Sequence, residues 1–264
     1  MKFKKNVSTS DYGFLYGFGL FETFYVTKEY SIILFDEHIE RIYNSLSYFK
    51  IDWTIEKEDF KKHLFKHIKK NNYNDMVVRV TISAGNLTGG IKPSVFVHTR
   101  EYLKNDDLYS KGSRLLVSSI RVNEYSMLAR HKTCNYLENF IESRKAASKG
   151  YFDTIILNSK EHIAETTKCN VFFVKDKIIY TPDEDCGILP GIMRKWTIEK
   201  LEKFKIDFKK GNFNINKLIN ADEVFITNSV VGILPVACIE KKRISNCPGE
   251  VTCLLMREFK KINK

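Results

Sequence analysis

Three polar features of this chain have the residue types and spacing to bind one small cofactor. Lys132 opens the segment HKTCNYLENFIESRKAASKGY, which we predict to be helical from residue 133 to residue 149. Glu165 follows at the end of a predicted hairpin, and the segment CGILPGIMR, residues 186–194, places Pro-Gly directly before a helix that carries its own arginine. An amine, a carboxylate and the start of a helix can bind, respectively, an aldehyde, a ring nitrogen and a phosphate.

Pyridoxal 5'-phosphate (PLP) carries these three groups, and it is the cofactor that we predict. A lysine forms an imine readily when it is partly desolvated, and a carboxylate at position 165 can keep a pyridine nitrogen protonated. Backbone N–H groups at the start of a helix bind anions. Taken singly, each feature also has an ordinary structural interpretation: a surface lysine, an exposed turn glutamate and a common type of helix start.

The composition limits the classes of function. The 264 residues suffice for one large or two small domains, and the 43% hydrophobic and 28% charged residues are near globular averages. The net charge of +11 comes largely from scattered lysine pairs, which are typical of solvated faces rather than of a nucleic-acid-binding stripe. We therefore predict no nucleic-acid partner, although a basic surface favours a small anionic substrate.

The cysteines and the apolar runs bear on metal binding and location. The six cysteines form no C-x-x-C pair and have no metal-ligand spacing with the six histidines, so we predict no metal. We find no signal peptide and no run of the roughly 20 apolar residues that a membrane span needs. We therefore expect a cytoplasmic protein with reduced thiols and no membrane partner.

The elements that must position the polar residues mix strands and helices without strict alternation, which favours two α+β subdomains with a cleft between them. The polar segment EYLKNDDLYSKGS indicates a boundary near residue 108. The predicted strands cover residues 22–27, 31–34, 76–83, 94–99, 114–122, 153–158, 170–175, 177–181 and 223–228. The other predicted helices begin at Asp36 and Thr54, cover 192–205, and follow Pro248.

Six ordered blocks resemble the class IV aminotransferase family, whose members are fold type IV PLP enzymes. The blocks are YGFGLFETFYV (16–26), HIERIYNS (38–45), KTCNYLEN (132–139), AETTKCNVFFV (164–174), CGILPGIMR (186–194) and ADEVFITNSVVGILPV (221–236). The resemblance covers nearly the whole chain. It implies a small α/β amino-terminal domain, 1–108, a larger pseudo-barrel PLP-binding domain, 109–264, and a homodimer with residues of both subunits at each site.

The resemblance also implies roles for individual residues. Lys132 is the Schiff-base lysine and general base, and Glu165 is the partner of the ring nitrogen, with Asn170 structural. Arg41 and Ser229 contact the phosphate, as do the backbone N–H groups of Ile192 and Met193. Leu189 contacts the ring. We also place Tyr16 in the substrate pocket.

Three activities of the family are compatible with the blocks: branched-chain aminotransferase, D-amino-acid aminotransferase and aminodeoxychorismate lyase. The lysine block, with Tyr136 four residues after Lys132, the GIMR segment and ITNSVVGILPV resemble the lyases. Three departures concern substrate identity rather than the cofactor. Pro190 is typical of transaminases, Phe18 replaces an aspartate, and Ile91-Lys92 replaces an arginine of some lyases.

The favoured activity is the conversion of 4-amino-4-deoxychorismate to 4-aminobenzoate and pyruvate in folate biosynthesis, next to aminodeoxychorismate synthase. That substrate carries two carboxylates, so cationic groups must face it. Lys92 and Arg79 are the candidates, although Arg79 lies in a predicted strand and has an equally good interpretation as a structural ion-pair partner. The alternatives are a class IV aminotransferase acting on branched-chain or D-amino acids and, more distantly, a non-catalytic PLP carrier or interaction protein.

Overall fold

The computed structural model of the chain describes residues 1–86 and 88–262 and contains two compact units. The first unit comprises Met1–Leu103 together with His131–Asn135, and the second comprises Lys104–Arg130 and Tyr136–Ile262. The chain therefore changes unit near residue 103 and returns briefly to the first unit with the segment that carries Lys132. The predicted domains, 1–108 and 109–264, place the Lys132 segment in the second domain, whereas the structure groups it with the first unit.

The first unit is built on a four-stranded sheet in the order β1-β4-β3-β2. Its strands are β1 (Phe3–Lys4), β2 (Gly19–Val26), β3 (Met76–Ser83) and β4 (Ser94–Glu101), with the short helix α1 (Tyr12–Tyr16) before β2. Helices α2 (Phe35–Tyr48) and α3 (Lys57–Lys70) contribute apolar side chains at helical spacing to a core with one face of this sheet. The core residues include the predicted positions Ile39, Ile42, Leu46, Phe60, Leu64 and Ile68.

The second unit is built on a nine-stranded sheet in the order β10-β9-β8-β11-β12-β5-β6-β7, with β13 paired to β12. The strands are β5 (Ser113–Val122), β6 (Asp153–Asn158), β7 (Ile163–Thr166), β8 (Asn170–Lys175), β9 (Ile178–Pro182), β10 (Phe208–Gly211), β11 (Glu223–Asn228), β12 (Gly232–Ile239) and β13 (Lys242–Arg243). The helices are α4 (Asp106–Lys111), α5 (Leu137–Ser148), α6 (Ile192–Lys203), α7 (Ile215–Ile219) and α8 (Glu250–Ile262).

Most strongly apolar segments fold as predicted, but the apolar strand β12 (Gly232–Ile239) is not among the predicted strands. Two other predictions, which depended on weaker signals, are wrong. Residues 31–34 form no strand, because Ile32 makes only an isolated bridge to Val26 and α2 begins at Phe35. The helix predicted over 133–149 begins only at Leu137. The residues before it are not helical, because Lys132, Thr133 and Cys134 pair with β2 instead of closing helical turns.

Three further helix starts differ from the predictions by a few residues. Asp36 lies in the first turn of α2 rather than at its cap, α3 begins at Lys57 rather than at Thr54, and α8 begins at Glu250, two residues after Pro248. Among residues 1–86 and 88–262, no helix has both the length and the apolar character to cross a membrane.

Candidate active site

The segment that carries Lys132 lies along β2, which is an edge strand of the first sheet. The Phe21 N–H donates to the Lys132 carbonyl at 2.9 Å, and the Cys134 N–H donates to the Gly19 carbonyl at 2.8 Å. Backbone groups at a sheet edge otherwise lack partners within the sheet. This pairing satisfies two such groups of β2 and fixes the backbone from Lys132 to Cys134.

Side chains on either flank hold the same segment in the first unit. The His131 ring lies 4.3 Å from the Tyr48 ring, centroid to centroid, and its Nδ1 is 2.9 Å from Ser45 Oγ. Four residues further on, Asn135 Nδ2 donates to the Gly17 carbonyl at 3.1 Å. The backbone of the lysine is therefore held between two anchored neighbours, which limits the positions that its amine can reach.

Two glycines of the YGFG motif allow this close approach. Gly17 has a φ of +68°, and a Cβ added there would lie 2.8 Å from Asn135 Oδ1. A Cβ at Gly19 would lie 3.1 Å from Cys134 Sγ. A side chain at either position would crowd the side chains of Asn135 and Cys134 in the lysine segment, so the first and third sequence blocks form one structural feature.

Lys132 and Arg79, two of the predicted site residues, both contact the ring of Phe21. Lys132 Nζ is 4.5 Å from the ring centroid, and Arg79 Cζ is 3.5 Å from it. Arg79 Nε also donates to Thr81 Oγ1 at 3.3 Å. Burial raises the pKa of the Cys134 thiol, and the nearby Arg79 guanidinium partly opposes that increase. Phe21 is thus a buried platform against which two cationic groups lie.

Arg41 pairs with a buried carboxylate that the sequence analysis did not single out. Its Nε and Nη2 donate to Glu22 Oε1 and Oε2, each at 2.7 Å, and His38 Nδ1 is 2.7 Å from the same Oε2. Burial acts most strongly on the Glu22 pKa and would raise it, but Arg41 and His38 together outweigh burial and hold the pKa at about 2. Glu22 is therefore ionised at neutral pH.

The other two substrate candidates of the first unit lie at its surface. Tyr16 ends α1 with 68% of its surface exposed, and Lys92 is exposed at the end of the Gly-rich loop. That loop is closed by a bridge between Asn86 and Ile91, and its residue 87 lies outside the described part of the chain. The predicted substrate contacts of Tyr16 and Lys92 stay predictions.

In the second unit, Glu165 lies in strand β7, near the end of the hairpin that β6 and β7 form, as predicted. Its Oε2 accepts a hydrogen bond from Asn170 Nδ2 at 3.0 Å, and the same amide donates to the Leu189 carbonyl at 3.0 Å. Asn170 is only 5% exposed. One buried amide therefore joins three predicted residues, and it fixes a carboxylate that remains able to accept a further hydrogen bond.

The turn after Glu165 is held by a second buried carboxylate. Asp153, which is fully buried, accepts a hydrogen bond from Thr166 Oγ1 at 2.7 Å and another from the Thr167 hydroxyl. Asn139 Nδ2 donates to the Thr167 carbonyl at 2.9 Å, and the Tyr136 hydroxyl donates to the same oxygen. This network fixes the end of β7, because each of its buried polar groups has a partner.

The start of α6 suits an anion. Its N-cap is Gly191, which offers no side-chain cap, so the N–H groups of Ile192 and Met193 lie in a first turn that has no internal backbone acceptor. A Cβ at Gly191 would lie 1.8 Å from Asn170 Oδ1, so only glycine fits beside that amide. The helix start thus has no capping side chain, at a position where none fits. The predicted phosphate contacts of Ile192 and Met193 stay predictions.

Two further features of this unit refine the sequence interpretation. Arg194, the arginine of the GIMR segment, is buried, and its Nη2 donates to the Pro182 carbonyl at 2.8 Å, so it supports the end of β9. Ser229 lies in the turn between β11 and β12, which Asn228 shapes by accepting hydrogen bonds from the Val230 and Val231 N–H groups at 2.8 Å. The predicted phosphate contact of Ser229 stays a prediction.

Comparisons with known proteins found a matching family model, similar sequences and similar structures. The amino-transferase class IV family model matches residues 19–239. The chain is 35% identical to an aminodeoxychorismate lyase of Bacillus subtilis, over 97% of this chain and 89% of the relative. It is 29% identical to a D-alanine aminotransferase of Bacillus licheniformis, over 93% of this chain and 88% of the relative.

A solved structure from Legionella pneumophila, provisionally assigned as a 4-amino-4-deoxychorismate lyase, superimposes with a TM-score of 0.90 at 27% identity, covering 99% of this chain and 97% of that one. The similarity confirms the fold class predicted from the sequence, a two-domain fold type IV PLP enzyme. It also confirms the family that the six blocks indicated. The chain belongs to the class IV amino-transferase family.

Proposed function

We propose that this protein is a PLP-dependent aminodeoxychorismate lyase that converts 4-amino-4-deoxychorismate to 4-aminobenzoate and pyruvate. The observation that carries the proposal is the similarity to the Bacillus subtilis lyase along nearly the whole chain. The shared stretch includes the lysine block, the GIMR segment and the last block, which are the parts that distinguish lyases within the family. The product 4-aminobenzoate places the reaction in folate biosynthesis.

The residues of each unit fit PLP. In the first unit, Lys132 supplies an amine on a fixed backbone, and Arg41 supplies a guanidinium for the phosphate. In the second unit, Glu165 supplies a carboxylate for the ring nitrogen, and the N–H groups at the uncapped start of α6 supply donors for the phosphate. We assign Leu189 to the wall of the ring site and Ser229 to a further phosphate contact. When bound, PLP supplies an electron sink for the substrate.

Lys132 is the residue that we propose to move the proton. The substrate loses the ring proton at C4, and the Lys132 amine takes it as general base. The ring then becomes aromatic as the enolpyruvyl ether bond breaks, and the fragment leaves as the enolate of pyruvate, which takes up a proton at its methylene carbon to give pyruvate. The backbone pairing with β2 fixes the point from which the lysine side chain extends, and general-base catalysis depends on such positioning.

Glu165 keeps its charge in place for the same step. The Asn170 amide donates to one carboxylate oxygen, which orients the group. An ionised, fixed carboxylate stabilises a protonated pyridine nitrogen. Because the amide itself is buried and also bonded to the Leu189 carbonyl, the carboxylate has little freedom to turn away.

The two carboxylates of the substrate need cationic partners, and we propose Arg79 and Lys92. Arg79 contacts the ring of Phe21, as Lys132 does. Lys92 is exposed beside the Gly-rich loop. We assign Tyr16 to the substrate pocket as well. The alternative for Arg79, a purely structural contact with Phe21 and Thr81, predicts an unchanged KM on its replacement.

A second candidate function is transamination of branched-chain or D-amino acids. It is favoured by the similarity to the D-alanine aminotransferase and by Pro190, which is typical of transaminases within the family. The same lysine would then move a proton between the amino acid and the cofactor. A transaminase converts its cofactor to a stable pyridoxamine form when an amino donor is added, whereas a lyase does not need to form it.

We further propose a cytoplasmic homodimer that takes its substrate from aminodeoxychorismate synthase. Large apolar side chains are exposed in both units, among them Phe14, Leu137 and Phe140, and such side chains are typical of surfaces that associate. All six cysteines are free, in agreement with a reducing compartment. Light scattering of the purified protein measures the proposed dimer directly.

The test is the simultaneous measurement of 4-aminobenzoate and pyruvate from 4-amino-4-deoxychorismate. The proposed function predicts equal amounts of both products from the wild type and none above background from Lys132→Ala. A yellow, PLP-loaded protein that forms neither product would contradict the lyase function. In that case, accumulation of the pyridoxamine form with D-alanine or a branched-chain amino acid would support the transaminase.

A further inference from the structure

The first unit contains a buried cluster of three charged or ionisable side chains, Glu22, His38 and Arg41. Glu22 lies on the face of β2 that packs against α2, where its neighbours in the strand, Leu20 and Phe24, are core residues. Arg41 reaches both carboxylate oxygens, and His38 reaches one of them. A charged residue among core positions requires a physical reason, because burial of a carboxylate is unfavourable.

Stability alone is a weak reason for such a cluster. Buried ion pairs often contribute no more to stability than well-packed apolar residues of the same volume, because desolvation offsets the attraction between the charges. The exposure within the cluster is uneven. The Glu22 side chain is 3% exposed and that of Arg41 is 16% exposed. The carboxylate is therefore enclosed, and the guanidinium is the member that reaches outward.

The geometry of the pair fixes the direction of the guanidinium. Two parallel N–H···O bonds of 2.7 Å hold the Nε and Nη2 side of Arg41 against Glu22. A bidentate pair of this kind defines the plane of the guanidinium as well as its position. The formal charges of the pair cancel, so the pairing adds direction rather than net positive charge. From this pairing, a ligand of Arg41 would gain a fixed orientation of the guanidinium and no additional positive charge.

His38 completes the support of the carboxylate. Burial lowers the His38 pKa more than the Glu22 carboxylate raises it, so the ring is neutral at pH 7. The carboxylate at Nδ1 then assigns the ring proton to Nδ1, which donates to Glu22. Among the described residues, His38 Nε2 has no hydrogen-bond partner. Within the part of the chain that the structure describes, the hydrogen bond to Glu22 is thus the only one that the buried His38 ring makes.

We propose that Glu22 is a positioning residue that holds Arg41 in the orientation needed to bind the phosphate of the cofactor, with His38 holding Glu22 in turn. The inference rests on the proposed PLP-binding function and adds two residues that do not touch the cofactor. It predicts that Glu22 sets the preference of the protein for phosphorylated over unphosphorylated cofactor. A purely structural Glu22 would affect both ligands equally.

The experiment compares the dissociation constants of PLP and of pyridoxal, which lacks the phosphate, for the protein freed of cofactor. Spectroscopic titration gives both constants for the wild type, for Glu22→Gln and for Arg41→Ala. We expect Glu22→Gln to weaken PLP binding by about tenfold, the size of one lost charge-assisted contact, and to leave pyridoxal binding within about twofold. In the Arg41→Ala protein, adding Glu22→Gln should change the PLP constant no further.

A matched control is Glu142→Gln in the second unit, which also removes the charge of a buried carboxylate, one that accepts a hydrogen bond from Ser118 Oγ at 2.8 Å. It should lower thermal stability without changing the ratio of the two constants. If Glu22→Gln fails to fold, Glu22→Asp, which keeps the charge but shortens the reach, should show the same selective loss of PLP affinity.

An equal loss of PLP and pyridoxal affinity in the Glu22 variants, or an unchanged ratio, overturns the proposed positioning role. A wild-type protein that binds neither ligand contradicts the proposed PLP function instead, so the two failures are distinguishable.

Discussion

Replacement of Gly191 by alanine tests whether the Asn170 amide joins Glu165 to the phosphate-binding turn. The backbone of Gly191, with φ −71° and ψ 137°, is allowed for any residue, so alanine adds no backbone strain. Its methyl group, however, would lie 1.8 Å from Asn170 Oδ1. The Asn170 amide is held by hydrogen bonds to Glu165 and Leu189, so it must break them to move away.

The expected cost follows from these contacts. Loss of two hydrogen bonds removes about 2 kcal/mol, and overpacking of a buried site adds about 1 kcal/mol or more. We therefore expect Gly191→Ala to lower the free energy of unfolding of the cofactor-free protein by about 2–4 kcal/mol. Because the same movement shifts the first turn of α6 and releases Glu165, we also expect PLP affinity to fall by at least about tenfold, or 1.4 kcal/mol.

Urea unfolding and spectroscopic titration with PLP measure the two effects. Gly150→Ala is the matched control: a Cβ there meets nothing within 4 Å, but its φ of +74° disfavours alanine. We expect that control to cost about 1 kcal/mol from backbone strain alone and to leave PLP affinity unchanged.

A double variant separates the steric effect from any other. Asn170→Ala removes the atom that the new methyl group would meet, so adding it to Gly191→Ala should cost less than the sum of the single changes by more than about 1 kcal/mol. Strict additivity, or a Gly191→Ala protein with wild-type stability and PLP affinity, would refute this reasoning.

Three further predictions concern charged groups. The Glu22 pKa is lowered from 4.5 to about 2, so its contribution to stability is complete above pH 4.5 and is lost as the pH falls toward 2. At about 1.4 kcal/mol per pKa unit the contribution is about 3 kcal/mol, and Glu22→Gln should remove this part of the acid dependence in urea unfolding at pH 5 and pH 3. Lys92→Ala should raise KM for 4-amino-4-deoxychorismate several-fold at unchanged PLP affinity; an unchanged KM would remove Lys92 from the substrate site. Glu165→Gln should lower kcat by about 100-fold with a smaller change in KM, and a wild-type kcat would exclude the assigned role.

Much of the fold could be predicted because local patterns and tertiary packing agree. The runs at 76–83, 153–158 and 223–228 are apolar over strand length, and they form β3, β6 and β11 within the same bounds. The spacing of Ile39, Ile42 and Leu46 predicted one face of α2, and these residues are in the core of the first unit.

The conformation at Lys132 could not be predicted from local patterns. The helical pattern that follows the lysine predicts α5 correctly from Leu137 onward, but the same pattern also predicts helix back to residue 133. The pairing that keeps residues 132–134 out of the helix is with Gly19 and Phe21, more than 100 positions earlier in the chain. Long-range pairing overrides local helix propensity, and a single sequence does not contain its register.

The alternation of residues in β2 contains a signal for the Glu22–His38–Arg41 cluster. Strand β2 alternates so that Leu20, Phe24 and Val26 face the core, and position 22 falls on that buried face. A glutamate there predicts a buried cationic partner, because a buried carboxylate is retained only when it is paired. The arginine of the GIMR segment shows the opposite case, since only the structure reveals that its guanidinium is directed to the end of β9.

The proposed function depends most on the binding of the PLP aldehyde by Lys132. Reduction of the PLP-loaded protein with borohydride, followed by proteolysis and mass spectrometry of the peptides, locates the attachment directly. We expect one phosphopyridoxyl group per chain, on the peptide that contains Lys132, and no specific attachment in Lys132→Ala. Stoichiometric attachment at any other lysine, or none at all in a yellow protein, would contradict it.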